Sequence, residues 1–299
     1  LPSPESQQYL AKLREGEPFG THGFDFDGLR FGMALRRKPD DPAVLCQKAD
    51  ADGVRGEWVL APGADAGVRL LYLHGGGFVS GAGACYLPLA AHISAAAGCV
   101  VFLPDYRLAP EHPYPAGLED CVRAHEWLRA NGPDGPGPAK VTFIAGDSAG
   151  GGLTLSTLLA VRDRDLALPA GGIPLSPFAD LTLSGDSIRS QAGLDPIMHP
   201  SCLPRFVELY LAGAPADDPL ASPLFADLAG LPPLLIQVGE HEIIRDDSVR
   251  VAGRAKAAGV DVTLEIWEGL FHVFQSHEPL LPEAREAVAH IGEFVRRRA

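Results

Sequence analysis

In the run Gly146-Asp147-Ser148-Ala149-Gly150, a hydroxyl stands where backbone geometry can make it reactive. An apolar, strand-like stretch at 141–145 precedes it and a helix-like stretch at 151–164 follows. A sharp strand-to-helix turn forces its central residue into a strained conformation, and glycine on each side lets strand and helix pass closely. Ser148 would then sit at a helix N-terminus, whose free N–H groups and dipole favour developing negative charge. This is the setting of a nucleophilic serine. The bland alternative is a serine that only caps the helix, which would not need glycine on both flanks.

A nucleophile that attacks a carbonyl needs donors for the oxyanion, and losing one donor commonly costs about a hundredfold or more. The strand-like run 68–73 leads into His74-Gly75-Gly76-Gly77-Phe78. Consecutive glycines let backbone N–H groups approach a ligand without interference from Cβ. The expected donors are the N–H groups of Gly76, Gly77 and Ala149, with His74 bracing the loop. Other glycine-dependent chemistries fit poorly. GxxxxGK[ST] is absent, and Ser80 stands where the third glycine of a GxGxxG dinucleotide site should fall.

Composition narrows the classes further. The 299 residues carry 25 Lys+Arg against 38 Asp+Glu, a net charge of −13, with 46% hydrophobic and 21% charged residues. That mixture folds, and its acidic balance argues against nucleic acid as a partner. No apolar stretch approaches the roughly 20 residues of a membrane span. The opening LPSPESQQYLAKLREGE lacks a charged-then-apolar pattern, so no signal peptide is expected. Five widely spaced cysteines, Cys46, Cys85, Cys99, Cys121 and Cys202, form no CxxC pair. They read as reduced, mostly buried thiols of a cytoplasmic protein rather than a disulfide frame or a metal site.

Around these motifs, short apolar runs at 68–73, 99–103, 141–145, 234–238 and 262–267 alternate with helical patterns at 87–97, 117–130, 151–164, 246–258 and 283–298. Such alternation predicts βαβ units and a mostly parallel, buried sheet, an α/β fold. Amphipathic segments at 7–14 and 29–37 mark a polar N-terminal stretch, 1–42. The segment 185–216 interrupts the rhythm with helix and proline signals. The expected organisation is a catalytic domain in two parts, 43–184 and 217–299, with 1–42 and 185–216 lying over the sheet as a helical cap.

Three motifs together, HGGGFVSG at 74–81, DYRLAPEHPYPAGLEDC at 105–121 and GDSAGGGL at 146–153, resemble the hormone-sensitive-lipase-like (family IV) bacterial esterases of the α/β-hydrolase fold. The likeness covers the chain from about residue 55 to the end. It implies an N-terminal cap built partly from 1–42, a structural role for Asp105, Arg107 and Glu111, and dimers through the last sheet strand. It also implies the chain order serine, acid, histidine. His272, in the turn Glu268-Gly269-Leu270-Phe271-His272 after the last strand, fits the base. His277 and His290, further on, are expected at the surface, and His241 sits beside the candidate acid. Many relatives read D-P-L-x-D after the strand 234–238, the first aspartate acting. Against that pattern Glu242 takes the catalytic position and Asp246 the later one. Glu242 is chosen and Asp246 is the alternative, with Asp246 and Asp247 also suited to opening a helix.

These residues imply a serine carboxylesterase (EC 3.1.1.-): Ser148, Glu242 and His272 form a catalytic triad, with Gly76, Gly77 and Ala149 as oxyanion hole. No metal or organic cofactor is called for. The expected partner is a small-molecule ester, without nucleic acid or membrane, and a homodimer fits the likeness. Phe78, Phe178, Leu181, Phe206, Tyr210 and Phe271 are candidate substrate-binding walls, although each has the character of a core residue. The resemblance implies short-acyl esters. Two rivals remain open: an amidase or lactonase with the same triad, and a non-catalytic small-ligand receptor on the same fold.

Overall fold

The computed structural model describes residues 2–35 and 37–299. Leu1 and Arg36, both within the expected cap segment 1–42, lie outside the described residues.

The elements run in the order α1 (Pro4–Leu13), α2 (Phe26–Ala34), β1 (Leu45–Ala51), β2 (Val54–Leu60), β3 (Asp65–Leu73), α3 (Leu87–Ala97), β4 (Cys99–Pro104), α4 (Ala116–Ala130), β5 (Asn131–Gly132), β6 (Gly135–Pro136), β7 (Val141–Asp147), α5 (Ala149–Asp163), β8 (Gly171–Leu175), α6 (Ser187–Ser190), α7 (Leu203–Leu211), β9 (Leu234–Gly239), α8 (Arg245–Ala257), β10 (Val262–Trp267) and α9 (Pro282–Arg296). Eight strands form one sheet in the order β1-β2-β4-β3-β7-β8-β9-β10. From β4 to β10 neighbouring strands are parallel, whereas β2 pairs antiparallel with both β1 and β4. This is the α/β-hydrolase arrangement expected from the sequence.

The strand sequences dictate why both faces are covered. In β3, Leu71 and Leu73 enter one core while Leu70 and Tyr72 enter the other, the period-two alternation of a strand. The first core takes α4, α5 and α8 through residues such as Leu118, Leu158 and Val251; the second takes α3 and α9 through Ile93, Ile291 and Phe294. A third cluster joins Leu10 of α1 to Leu270, Phe271, Phe274 and Leu281. It anchors the N-terminal segment against the turn that carries His272.

Helix α2 begins earlier than the pattern at 29–37 indicated. Asp25 caps it by accepting from the Gly28 N–H at 2.9 Å, and the chain is extended by Leu35. The segments 1–42 and 185–216 meet through the backbone: Phe19 N–H donates to Ile197 O at 2.8 Å and His199 N–H to Phe19 O at 2.9 Å. Phe24 and Phe206 pack edge to face across the same junction, 4.8 Å between centroids. Among the described residues none of the five cysteines forms a disulfide; four are buried and Cys46 is half-buried. Among the described residues no helix is long and apolar enough to cross a membrane.

Candidate active site

Ser148 sits between β7 and α5 with φ 53° and ψ −120°, a region that L-residues rarely occupy. The surroundings hold it there: its N–H donates to Leu175 O at 2.8 Å, and its carbonyl accepts from Phe178 and Gly152 N–H at 2.9 and 3.0 Å. A Cβ at Gly150 would run into the carbonyl oxygen of Leu73, so the close pass between the end of β3 and the first turn of α5 needs glycine. The Ser148 hydroxyl makes no capping hydrogen bond to α5. That removes the bland alternative of a helix-capping serine.

His272 follows β10 and is buried. Its Nδ1 is 2.8 Å from Glu242 Oε2. The other oxygen of Glu242 accepts from Ser176 Oγ at 2.7 Å and from the Gly239 N–H at 2.5 Å. With no exposed surface of its own, Glu242 is satisfied entirely inside the protein. Burial disfavours the imidazolium of His272, but Glu242, then Asp195 and Asp147, outweigh it, and His272 titrates above the usual histidine range.

Asp246, the alternative acid, faces elsewhere. Its Oδ2 accepts from Ser187 N–H at 2.9 Å, tying α8 to the 185–216 segment. Asp247 accepts from Ala179 and Asp180 N–H, and burial pushes its carboxyl up to about 8. Both lie in the first turn of α8, where the sequence placed them.

Gly76 and Gly77, at φ 119° and 62°, lie beside Ser148 in the wall of one cavity of about 400 Å³ that also exposes His272. Among the described residues, no hydrogen bond uses the N–H of either glycine. Ala149 is fully buried at the first position of α5, directly after Ser148. Asp147 braces the glycine loop from below, accepting from Tyr72 OH at 3.0 Å, Gly75 N–H at 3.0 Å and Tyr86 OH at 3.1 Å. Burial lifts its carboxyl to about 6 against the pull of these donors and of His272.

The loop is held from above by the DYRLAPE segment. Tyr106 OH donates to His74 O at 2.6 Å, and the two rings stack at 4.3 Å. Asp105 accepts from Gly83 N–H, Arg107 grips Asp120 through two nitrogens, and Glu111 takes a bidentate hold from Arg30 of α2 at 2.6 Å. None of these residues is among those lining the cavity, in keeping with a framework role.

Of the six candidate walls, Phe178 and Phe206 line the cavity. Phe78, Leu181, Tyr210 and Phe271 do not, which corrects the expectation for those four. Phe78 stacks on Tyr210 at 3.9 Å inside the core, Leu181 is buried in the same core, and Phe271 belongs to the cluster beneath His272. His277 corrects a second expectation: it is half-buried in the cavity wall, with Nδ1 3.1 Å from Tyr9 OH. His241 stands near Arg14 of the segment after α1 rather than on the acid, and His290 pairs with Glu265.

Four contributors left no motif in the sequence. Ser176 orients Glu242, as described. Asp195, buried in the 185–216 segment, accepts from Ile243 N–H at 2.9 Å, next to Glu242, and from Ile197 and Met198 N–H. Leu29 and Met33 of α2 supply apolar wall that the sequence did not mark.

Comparison with known proteins agrees with this geometry. A family model described as the alpha/beta hydrolase fold matches residues 70–276. An acetyl-hydrolase of Streptomyces hygroscopicus is 42% identical over 240 residues, covering 80% of this chain and 79% of its own. An esterase of Acinetobacter venetianus is 35% identical over 257 residues, 86% of this chain and 83% of the relative. Among solved structures, an esterase of the bacterial hormone-sensitive lipase family superposes with a TM-score of 0.89 at 42% identity, covering 100% of this chain and 99% of the other. A crystal structure of EstE5 soaked with p-nitrophenyl butyrate gives a TM-score of 0.92 at 42% identity over 99% of both chains. With a serine elbow, a glycine loop and a buried acid–histidine pair on this sheet, the chain belongs to the hormone-sensitive-lipase-like esterases of the α/β-hydrolase family and is a serine hydrolase.

Proposed function

We propose that the protein hydrolyses short-acyl carboxylic esters through an acyl-enzyme on Ser148. The observation that carries this reading is the Glu242–His272 pair, in a cavity whose wall also presents Ser148 and two glycines at positive φ. His272 Nε2 takes the Ser148 proton as Oγ attacks the ester carbonyl carbon. Glu242 fixes the proton on Nδ1 and stabilises the imidazolium. The N–H groups of Gly76, Gly77 and Ala149 stabilise the tetrahedral oxyanion. The C–O bond to the alcohol then breaks, and His272 returns the proton to the leaving oxygen. Water, deprotonated by His272, attacks the acyl-enzyme, and the carboxylic acid leaves with Ser148 restored.

The segments 1–42 and 185–216 act in this reading as a cap over the catalytic parts 43–184 and 217–299, and the partner is a small ester. The short-acyl preference rests on the resemblance and fits a cavity of about 400 Å³ walled by Phe178, Phe206, Leu203 and Met198. The alternative leaving groups of amides and lactones would use the same residues. The test is hydrolysis of p-nitrophenyl esters from acetyl to palmitoyl, with ethyl amides and lactones alongside, by the wild type and Ser148→Ala. Short esters should be hydrolysed fastest and Ser148→Ala should fall to background. A preference for palmitoyl, or equal turnover of amides, would overturn the substrate assignment.

A further inference from the structure

The cavity that holds Ser148 is apolar over most of its wall but carries one Lys or Arg among its described lining residues, Arg37. Arg37 follows α2 and is fixed through its backbone, whose N–H donates to Ala84 O at 3.0 Å. Among the described residues no carboxylate lies within ion-pair distance of its guanidinium. The one carboxylate among the described lining residues, Asp147, already accepts from Tyr72, Tyr86 and Gly75.

The described groups around Arg37 bring no negative charge: its side chain donates to the neutral Cys85 thiol, and the neighbouring imidazole is a donor. His277 shares the cavity wall, and burial, helped by Arg37, brings its imidazole down to about 4, so it is neutral at physiological pH. The Tyr9 hydroxyl, kept protonated by burial, lies 3.1 Å from His277 Nδ1. With Tyr9 donating to Nδ1, the imidazole proton is assigned to Nε2. The Cys85 thiol, also in the wall, is held protonated by its burial. A permanent cation and a neutral N–H donor thus share a cavity with apolar side chains from Leu29, Met33, Pro88 and Leu89. Arg37 is exposed at the edge of the cavity, where a plain alkyl ester would offer its guanidinium no anionic partner beside the Cys85 thiol and solvent. The net charge of −13 repels anions from the surface at large, so any discrimination in their favour must arise within the cavity.

We infer that the substrate is an ester bearing a carboxylate remote from the scissile bond, and that Arg37 and His277 bind this carboxylate. The inference rests on the esterase reading above and narrows its substrate class. A carboxylate is ionised at neutral pH, and a guanidinium can bind it through two parallel N–H donors.

The probes are mono-p-nitrophenyl esters of dicarboxylic acids from glutarate to suberate, each beside its neutral methyl diester. Butyryl esters of ω-hydroxy acids, beside their methyl esters, place the carboxylate on the alcohol arm instead. p-Nitrophenyl butyrate reports the basal esterase reaction. In one of the two arms, wild-type kcat/KM for the acid should exceed that for its methyl ester by roughly 10-fold or more, the size of one hydrogen bond to a charged group. The ratio should collapse in about 1 M salt. Arg37→Met should lower it by the same factor and Arg37→Lys should restore part of it. Because the wild-type ratio alone decides, a misfolded variant does not rescue the idea. Neutral esters hydrolysed as well as or better than the acids in both arms would overturn it. If p-nitrophenyl butyrate is inert as well, the esterase reading has failed and the inference falls with it.

Discussion

Glu242 holds His272 with one carboxylate oxygen, Oε2 to Nδ1 at 2.8 Å, and is itself held through the other by Ser176 Oγ and the Gly239 N–H. The acid therefore cannot rotate away without breaking two further buried hydrogen bonds. In the proposed mechanism Glu242 orients His272 with one oxygen, while Ser176 and the Gly239 N–H take up the other. Removing one partner of such a buried pair leaves the other uncompensated, at a cost of about 3–5 kcal/mol.

Glu242→Gln should accordingly reduce kcat by about 10⁴-fold, the scale on which a wrongly oriented histidine fails in serine hydrolases. Asp246→Asn should keep most of the activity, since asparagine can still accept from Ser187 N–H. Steady-state kinetics of the two variants on p-nitrophenyl butyrate decide the matter. An inactive Asp246→Asn beside an active Glu242→Gln would reverse the assignment.

Gly77 tests the oxyanion loop. A Cβ there would strike the Phe206 ring, and the φ of 62° is strained for any L-side chain. Gly77→Ala should lower kcat by about 10²-fold through displacement of a donor N–H, with a smaller effect on KM. A variant with wild-type kcat would remove Gly77 from the oxyanion site.

The pH dependence follows from the direction of the His272 shift. The base must be neutral to accept the Ser148 proton, and its pKa is raised by Glu242, Asp195 and Asp147 against the effect of burial. The acid limb of kcat/KM should therefore lie above the usual histidine value, activity falling as pH falls through it. Asp195→Asn removes one of the carboxylates that raise it, so the limb should move to lower pH. The same sign governs stability: the His272 contribution is fully present below the unfolded histidine pKa and is lost as pH rises through the folded one. A pH–rate profile of the wild type and Asp195→Asn checks the direction, and a limb that moves upward contradicts it.

What the sequence reveals depends on how local each constraint is. The elbow at Ser148 and the loop at Gly76–Gly77 are fixed by backbone geometry within a few residues, and glycine records that geometry directly. His272 and Glu242 are legible because chain order and a short loop narrow the choice. Ser176, Asp195 and Arg37 reach the site only when distant segments meet, and nothing adjacent marks them. Phe78 and Phe178 show the limit for apolar residues: both are buried aromatics, yet only Phe178 borders the cavity. Strand β8 illustrates it for the fold. Its sequence Gly-Gly-Ile-Pro-Leu lacks a β-branched run, because Gly171 must make room for Phe294 and Gly172 for Leu158.

The decisive measurement is the mass of the enzyme when its reaction with p-nitrophenyl butyrate is quenched in acid within milliseconds. A butyryl adduct located on the peptide containing Ser148, formed in a burst with p-nitrophenol and absent from Ser148→Ala, is the expected result. Turnover without an adduct, an adduct on another residue, or undiminished hydrolysis by Ser148→Ala would contradict an acyl-enzyme on this serine.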